Sequence, residues 1–225
     1  NNGSFRPSIN YDGRFIVFSS QASNLVADDT NGCLDVFLYD RLNNIIRRVS
    51  INSEGDQGND HSAEQSDINS DGKFVVFESD ASNLVLDDTN GVKDILVADL
   101  NMNQIERVSV STLGEEGNDS SLFPSISSDG RYVLFISSAS NLVLNDTNNN
   151  VDVFLHDRQS TSTIRISENP SGVQANGESM AGTISDNGRY VAFSSGADNL
   201  VLDDTNGKWD IFVKDLLLNE IKIVS

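Results

Sequence analysis

Basic residues are scarce in this sequence: 15 Lys and Arg stand against 34 Asp and Glu, a formal net charge of −19. That balance excludes a nucleic-acid backbone as partner, because phosphate contacts need a surplus of Lys and Arg. It excludes an anionic membrane surface for the same reason. Cysteine occurs once, at Cys33, so no internal disulfide can form. A secreted bacterial protein is still allowed without one. Apolar runs such as Phe15-Ile16-Val17-Phe18 are far shorter than the roughly 20 residues that cross a bilayer, so no membrane insertion is expected. Helical periodicity is missing throughout. So are a Gly-x-Ser-x-Gly nucleophile turn, a Gly-rich phosphate loop and a His/Cys spacing for zinc. No signal peptide stands at Asn1, which fits a mature product or an excised piece. The acidity itself fits a cation, a basic protein partner, or a chain kept soluble in salt by its charge.

What the sequence has instead is a repeat. Asp12-Gly13 returns as Asp71-Gly72, Asp129-Gly130 and Asn187-Gly188, at steps of 59, 58 and 58. Asp29-Thr30-Asn31 returns with the same steps, as do Asp35, Asp94, Asp152 and Asp210, and Ser50, Ser109, Ser167 and Ser225. The extra residue of the first step lies between Ser50 and Asp71 and is expected in a connecting loop. Each repeat reads as four strands. In the third these are residues 124–127, 131–137, 152–157 and 163–167. Asp-Gly between β-rich runs predicts a two-residue type I′ hairpin. The second strand is apolar on both faces in every copy, as a strand sandwiched between neighbouring sheets should be. The expected fold is all-β: a β-propeller of four four-stranded antiparallel blades, approximately residues 1–58, 59–117, 118–175 and 176–225 of one domain. No strand is left over to complete a last blade. The ring is expected to close by side-chain packing, the alternative being further blades outside this chain.

The segments at 128–135 and 185–193, Ser-Asp-Gly-like turns followed by an apolar strand, resemble the TolB-type β-propeller repeat. The resemblance extends over all four repeats. The chain departs from that pattern in lacking the proline before each turn and in adding an Ala-Ser-Asn-Leu-Val-x-Asp-Asp-Thr-Asn-Gly insert. The resemblance implies protein–protein contact at the bacterial envelope, or a non-catalytic propeller attached to a peptidase. Function does not follow from fold alone.

The inserts and the inter-blade loops are expected to open on one face, which is then long-looped and acidic and the natural place for binding. Its main constellation is Asp28, Asp29, Asn31 and Asp35. It recurs as Asp87, Asp88, Asn90 and Asp94, as Asn145, Asp146, Asn148 and Asp152, and as Asp203, Asp204, Asn206 and Asp210. Hard oxygens within eight residues suit Ca²⁺, with carbonyls and water completing the shell. The alternative is turn chemistry, since Asp, Asn and Thr cap nearby backbone N–H groups. Recurring Asn24, Asn83, Asn141 and Asn199, and Asp40, Asp99, Asp157 and Asp215, read as blade-to-blade hydrogen-bond devices. Three features break the fourfold pattern. Trp209 could stack on a sugar or an aromatic group, or only pack in its loop. His61 lies among Glu54, Asp56, Asp60 and Glu64. Cys33 has no activating neighbour in sequence and reads as incidental. The expected function is a non-catalytic binding module of an extracellular, cell-surface or periplasmic protein. Its acidic face would bind a protein or carbohydrate partner, with Ca²⁺ ordering the loops. The alternatives are a hydrolase or lyase acting at a central acidic mouth, and a structural spacer in a large surface protein.

Overall fold

The computed structural model describes residues 2–225, apart from the side chain of Ala181. Its strands form four antiparallel sheets, each in simple chain order. The first sheet is β1 (Ser4–Ile9), β2 (Phe15–Ser20), β3 (Asp35–Asp40) and β4 (Ile45–Arg48). The second is β5 (Ser62–Ile68), β6 (Phe74–Ser79), β7 (Asp94–Asp99) and β8 (Gln104–Arg107). The third is β9 (Ser121–Ile126), β10 (Tyr132–Ser137), β11 (Asp152–Asp157) and β12 (Ser162–Arg165). The fourth is β13 (Ser179–Ile184), β14 (Tyr190–Ser195), β15 (Asp210–Asp215) and β16 (Glu220–Ile223). Among the described residues no helix is long and apolar enough to cross a membrane.

The chain divides into two compact units, one running to Val108 and one from Ser109. In the first, Val17, Val36 and Leu38 pack against Ala63, Ile68, Val75, Phe77 and Leu96 of the second blade. In the second unit, Leu134, Ile136, Val153 and Ile166 meet Ile184, Val191, Phe193 and Phe212 in the same way. Each blade is too thin to bury both faces itself, so its neighbour supplies the other half of the core. β6 and β10 are buried along almost their whole length, whereas β14 alternates and β2 is only half-buried at its start.

The Asp-Gly hairpins differ from the type I′ expectation. Only the glycine has positive φ, +70° at Gly13 and +72°, +74° and +68° at Gly72, Gly130 and Gly188. A type I′ turn needs two such residues. The turn instead spans Asn10 to Gly13 and is closed by the Gly13 N–H on the Asn10 carbonyl at 3.0 Å. Asp12 Oδ1 then accepts from the Arg14 N–H at 2.9 Å. Aspartate is present to cap the turn, and glycine to take the left-handed position after it.

The first strand of every blade carries a bulge. In the third, Leu122 pairs Ile136 and Ser125 pairs Leu134, so one residue is extra. In the second, Ser62 pairs Ser79 and Ser66 pairs Phe77, so two are extra. The additional residue of the first repeat step therefore lies inside β5, which has seven residues where β1 has six. It does not lie in a connecting loop, because a bulge absorbs a residue without disturbing the ladder on either side. First strands also start earlier and fourth strands end earlier than the apolar pattern suggested, as β9 and β12 show.

Asp40, Asp157 and Asp215 act within their blades, not between them. Each sits at the end of the third strand and takes a forked arginine from the start of the second: Arg14, Arg131 and Arg189, all at 2.7 Å. Lys73 faces Asp99 at 3.7 Å. The cations also lie over the rings of Phe15, Phe74, Tyr132 and Tyr190. Antiparallel register opposes Phe15 to Asp40, which brings each cation to its carboxylate. The arginine hydrogen bond and the turn N–H groups hold Asp40 and Asp157 far below the usual carboxylate range, and Asp215 at about 2. A depressed carboxylate stabilises the fold above its unfolded pKa of about 3.9, and that contribution is lost as pH falls through the folded value. Asp215→Asn is accordingly expected to lower Tm at pH 7 and to flatten the acid slope between about pH 4 and 2 in thermal melts.

Candidate functional site

Each long loop is held by a buried clasp. In the first blade, Asp35 heads β3 with its side chain fully buried. Ser50 Oγ donates to Asp35 Oδ1 at 2.6 Å and Asn31 Nδ2 donates to Oδ2 at 3.1 Å. Arg48, the last residue of β4, lies 3.4 Å from Asp35 and 3.0 Å from Asp29. One guanidinium thus bridges the loop aspartate and the strand aspartate. The second blade repeats this with Arg107 on Asp94 at 3.0 Å and Asp88 at 3.4 Å. The third repeats it with Arg165 on Asp146 at 3.0 Å and Asp152 at 3.6 Å. Asn90 and Asn148 donate to Asp94 and Asp152 at 3.1 and 2.8 Å. Burial pushes the Asp35 and Asp152 carboxyls up, while the serine, asparagine and arginine partners pull them back. Asp28, Asp87 and Asn145 are exposed and take positive φ at the loop bend, so their place is set by backbone geometry.

The fourth blade keeps the aspartates and loses the cation. Asp204 and Asp210 are buried, Asp203 and Asn206 are exposed, and Asn206 Nδ2 donates to Asp210 at 3.1 Å. The position of Arg48, Arg107 and Arg165 is taken by Ile223. These three arginines were not among the residues singled out from the sequence. Their recurrence at steps of 59 and 58, just before Val49-Ser50, Val108-Ser109 and Ile166-Ser167, was the available signal.

The inter-blade loops tie onto the inserts. Gln57 donates to Thr30 Oγ1 at 2.8 Å and to the Asp28 carbonyl at 2.9 Å. Asn83 donates to the Gln57 carbonyl and accepts from the Asn59 N–H, both at 2.9 Å. Asn141 and Asn199 repeat this on 116–118 and 174–176. These asparagines tie each inter-blade loop to the insert of the blade that follows it.

One position inside the blades varies and shapes the surface. It holds Tyr39, Ala98, His156 and Lys214. Lys214 is buried and donates to the carbonyls of Ile166 and Glu168 in the preceding blade, at 3.1 and 3.3 Å. Burial lowers its pKa. His156 meets Thr163, whose hydroxyl donates to the Val110 carbonyl. Ala98 has no side chain to reach so far. Beside it a groove of about 770 Å³ opens between the first two blades, lined among others by Ile51, Ile105, Arg47, Asp28 and Asp56. Sequence reasoning missed this groove, although the alanine is a visible break in the repeat.

Trp209 is half exposed, and its ring edge lies against Gly196, where a Cβ would come within 3.3 Å. The structure brings Cys33, Asp60 and His61 within 4.8 Å of one another. His61 Nδ1 accepts the Leu34 N–H at 2.8 Å, so the neutral ring carries its proton on Nε2 and offers no free lone pair. Burial, with the carboxylates of Asp60, Asp35 and Asp29, pushes the Cys33 thiol up, away from a nucleophilic thiolate. Glu64 lies with His61, Asp80 and Lys93 around a small cleft of about 200 Å³.

No family model and no curated protein match the chain. Solved structures do. TolB from Acinetobacter baumannii superposes with a TM-score of 0.60 at 16% identity, covering 100% of this chain and 44% of that one. The β-propeller domain of the Trilobed protease from Pyrococcus furiosus gives 0.56 at 12%, with 100% and 57% coverage. An oligogalacturonate lyase in complex with manganese gives 0.60 at 10%, with 100% and 54% coverage. The chain thus spans less than two thirds of the length of each. The fold is all-β and TolB-like: four four-stranded antiparallel β-propeller blades.

The clasp makes a direct stability prediction. Arg48→Met strands two buried carboxylates and is expected to cost about 3–5 kcal/mol, read as a lower urea midpoint. Adding Asp29→Asn and Asp35→Asn to the same chain is expected to recover part of that loss.

Proposed function

We propose that this TolB-like β-propeller chain is a non-catalytic binding module that holds a protein partner in the groove between its first two blades. The observation that carries this reading is the groove beside Ala98, at the one place where the repeat gives up the side chain that plugs the same seam in the fourth blade. The walls suit recognition. Ile51 and Ile105 offer apolar surface, Asp28 and Asp56 offer acceptors, and Arg47 offers a guanidinium whose pKa burial lowers. A few charged groups around apolar surface give a partner both area and orientation. The loops forming the rim are pinned by buried clasps, so a partner has little ordering entropy to overcome.

Catalysis finds less support. The loop carboxylates of three blades are engaged by arginine, burial pushes the Cys33 thiol up, and His61 Nδ1 is taken by the Leu34 N–H. The envelope role implied by the TolB-type resemblance, with the acidic surface, supports an extracellular, cell-surface or periplasmic setting. A carbohydrate ligand is the second reading, carried by the half-exposed Trp209, whose indole face could stack on a sugar ring.

Ala98→Lys copies the fourth blade, whose lysine reaches the equivalent carbonyls of its neighbour. The variant is expected to keep the wild-type Tm and to lose a partner captured from envelope extract and then re-bound in purified form. Retained affinity would remove the groove from the interface. Loss on Trp209→Ala instead, with oligosaccharides competing, would favour the carbohydrate reading.

A further inference from the structure

We propose that the fourth blade carries a divalent-cation site, formed by Asp204 and Asp210 and taking Ca²⁺, at the place where the other three blades keep an arginine. The argument starts from charge. Asp204 is 8% exposed and Asp210 4% exposed. Both oxygens of Asp204, and Oδ2 of Asp210, are shielded from solvent and have no hydrogen-bond partner among the described residues. Asp210 Oδ1 accepts from Asn206 Nδ2 at 3.1 Å and Ser225 Oγ at 3.4 Å. The equivalent carboxylates of the first three blades each have a guanidinium within 3.6 Å. Two buried carboxylates without a counter-charge are costly, and the folded chain gains by accepting one.

The geometry separates a metal ion from an organic cation. In the other blades the guanidinium arrives along the fourth strand, from Arg48, Arg107 or Arg165. In the fourth blade Ile223 fills that approach and packs against the core. A guanidinium therefore lacks the route that the arginine uses, whereas a divalent ion, with no side chain behind it, is not confined to that approach. The donors are hard oxygens, as Ca²⁺ prefers, and the two carboxylates supply up to four of its six to eight ligands. The inference stands whether or not the Ala98 groove binds a partner.

The chain contains a single tryptophan, Trp209, next to Asp210 in sequence. Tb³⁺ bound at this site is therefore excited through the indole, and its luminescence reports occupancy. One Tb³⁺ per chain is expected to bind and to be displaced by Ca²⁺ with a Kd of about 10⁻⁴–10⁻³ M, the range of open oxygen sites in extracellular modules. About 10 mM Ca²⁺ should raise Tm over EDTA by roughly 3–10 °C. Ile223→Arg should abolish both signals and raise Tm in EDTA, since it restores the clasp. Asp204→Asn with Asp210→Asn should abolish both signals as well, which keeps the test intact if the arginine variant fails to fold. Asp28→Asn, in the first blade, should change neither. No Ca²⁺-dependent shift, or an equal shift in the Asp204/Asp210 variant, would overturn the site. So would stabilisation by methylguanidinium with none by Ca²⁺.

Discussion

A carboxylate buried at the head of each third strand has to be satisfied, and the layout of the blade follows from how that is done. Asp35 takes a hydroxyl from the end of its own blade, an amide from the preceding loop and a guanidinium from the fourth strand. Two stretches of chain, the end of the insert with the head of the third strand and the end of the fourth strand 13 to 15 residues further on, are thereby fixed at one point. The insert is long and polar and buries little apolar surface, so it has no other strong reason to adopt one conformation. A buried charge that is paired and hydrogen-bonded is weak evidence of net stability, but losing one partner strands the rest.

The scarcity of cations takes on a structural meaning here. Four of the 15 Lys and Arg (Arg14, Lys73, Arg131 and Arg189) close hairpin clasps, and three more (Arg48, Arg107 and Arg165) close loop clasps. The remaining surface is correspondingly acidic. Repetition supplies a rigid frame, and the individual blades differ through single positions within it. Ala98 against Lys214 decides whether a seam is open or plugged. Ile223 against Arg165 decides whether two aspartates are paired. Both are substitutions at positions where the other blades have large, polar or charged side chains.

Much of the fold was legible without coordinates. The steps of 59, 58 and 58 gave the number of blades, and apolar second strands with Asp-Gly turns gave four strands apiece. The turn type was misread because Asp-Gly is compatible with more than one hairpin, and only the φ of the residue before the glycine distinguishes them. The extra residue was misplaced because a bulge leaves no mark on the hydrophobic pattern. Of the candidate site, the aspartates were visible and their arginine partners were overlooked. Arg48 lies 19 residues from Asp29, and nothing local joins them.

The sequence by itself determined an all-β chain of four repeats, an acid-rich loop in each, and the absence of the motifs that nucleic-acid binding or zinc would need. Those properties depend on period and composition, which any stretch of chain displays. Tertiary structure decided which aspartates are paired, that Cys33, Asp60 and His61 meet, and that a groove lies beside Ala98. The reason is physical: burial and ion pairing are set by side chains that arrive from other strands and neighbouring blades. Only the antiparallel register and the packing of one sheet on the next determine which side chains those are.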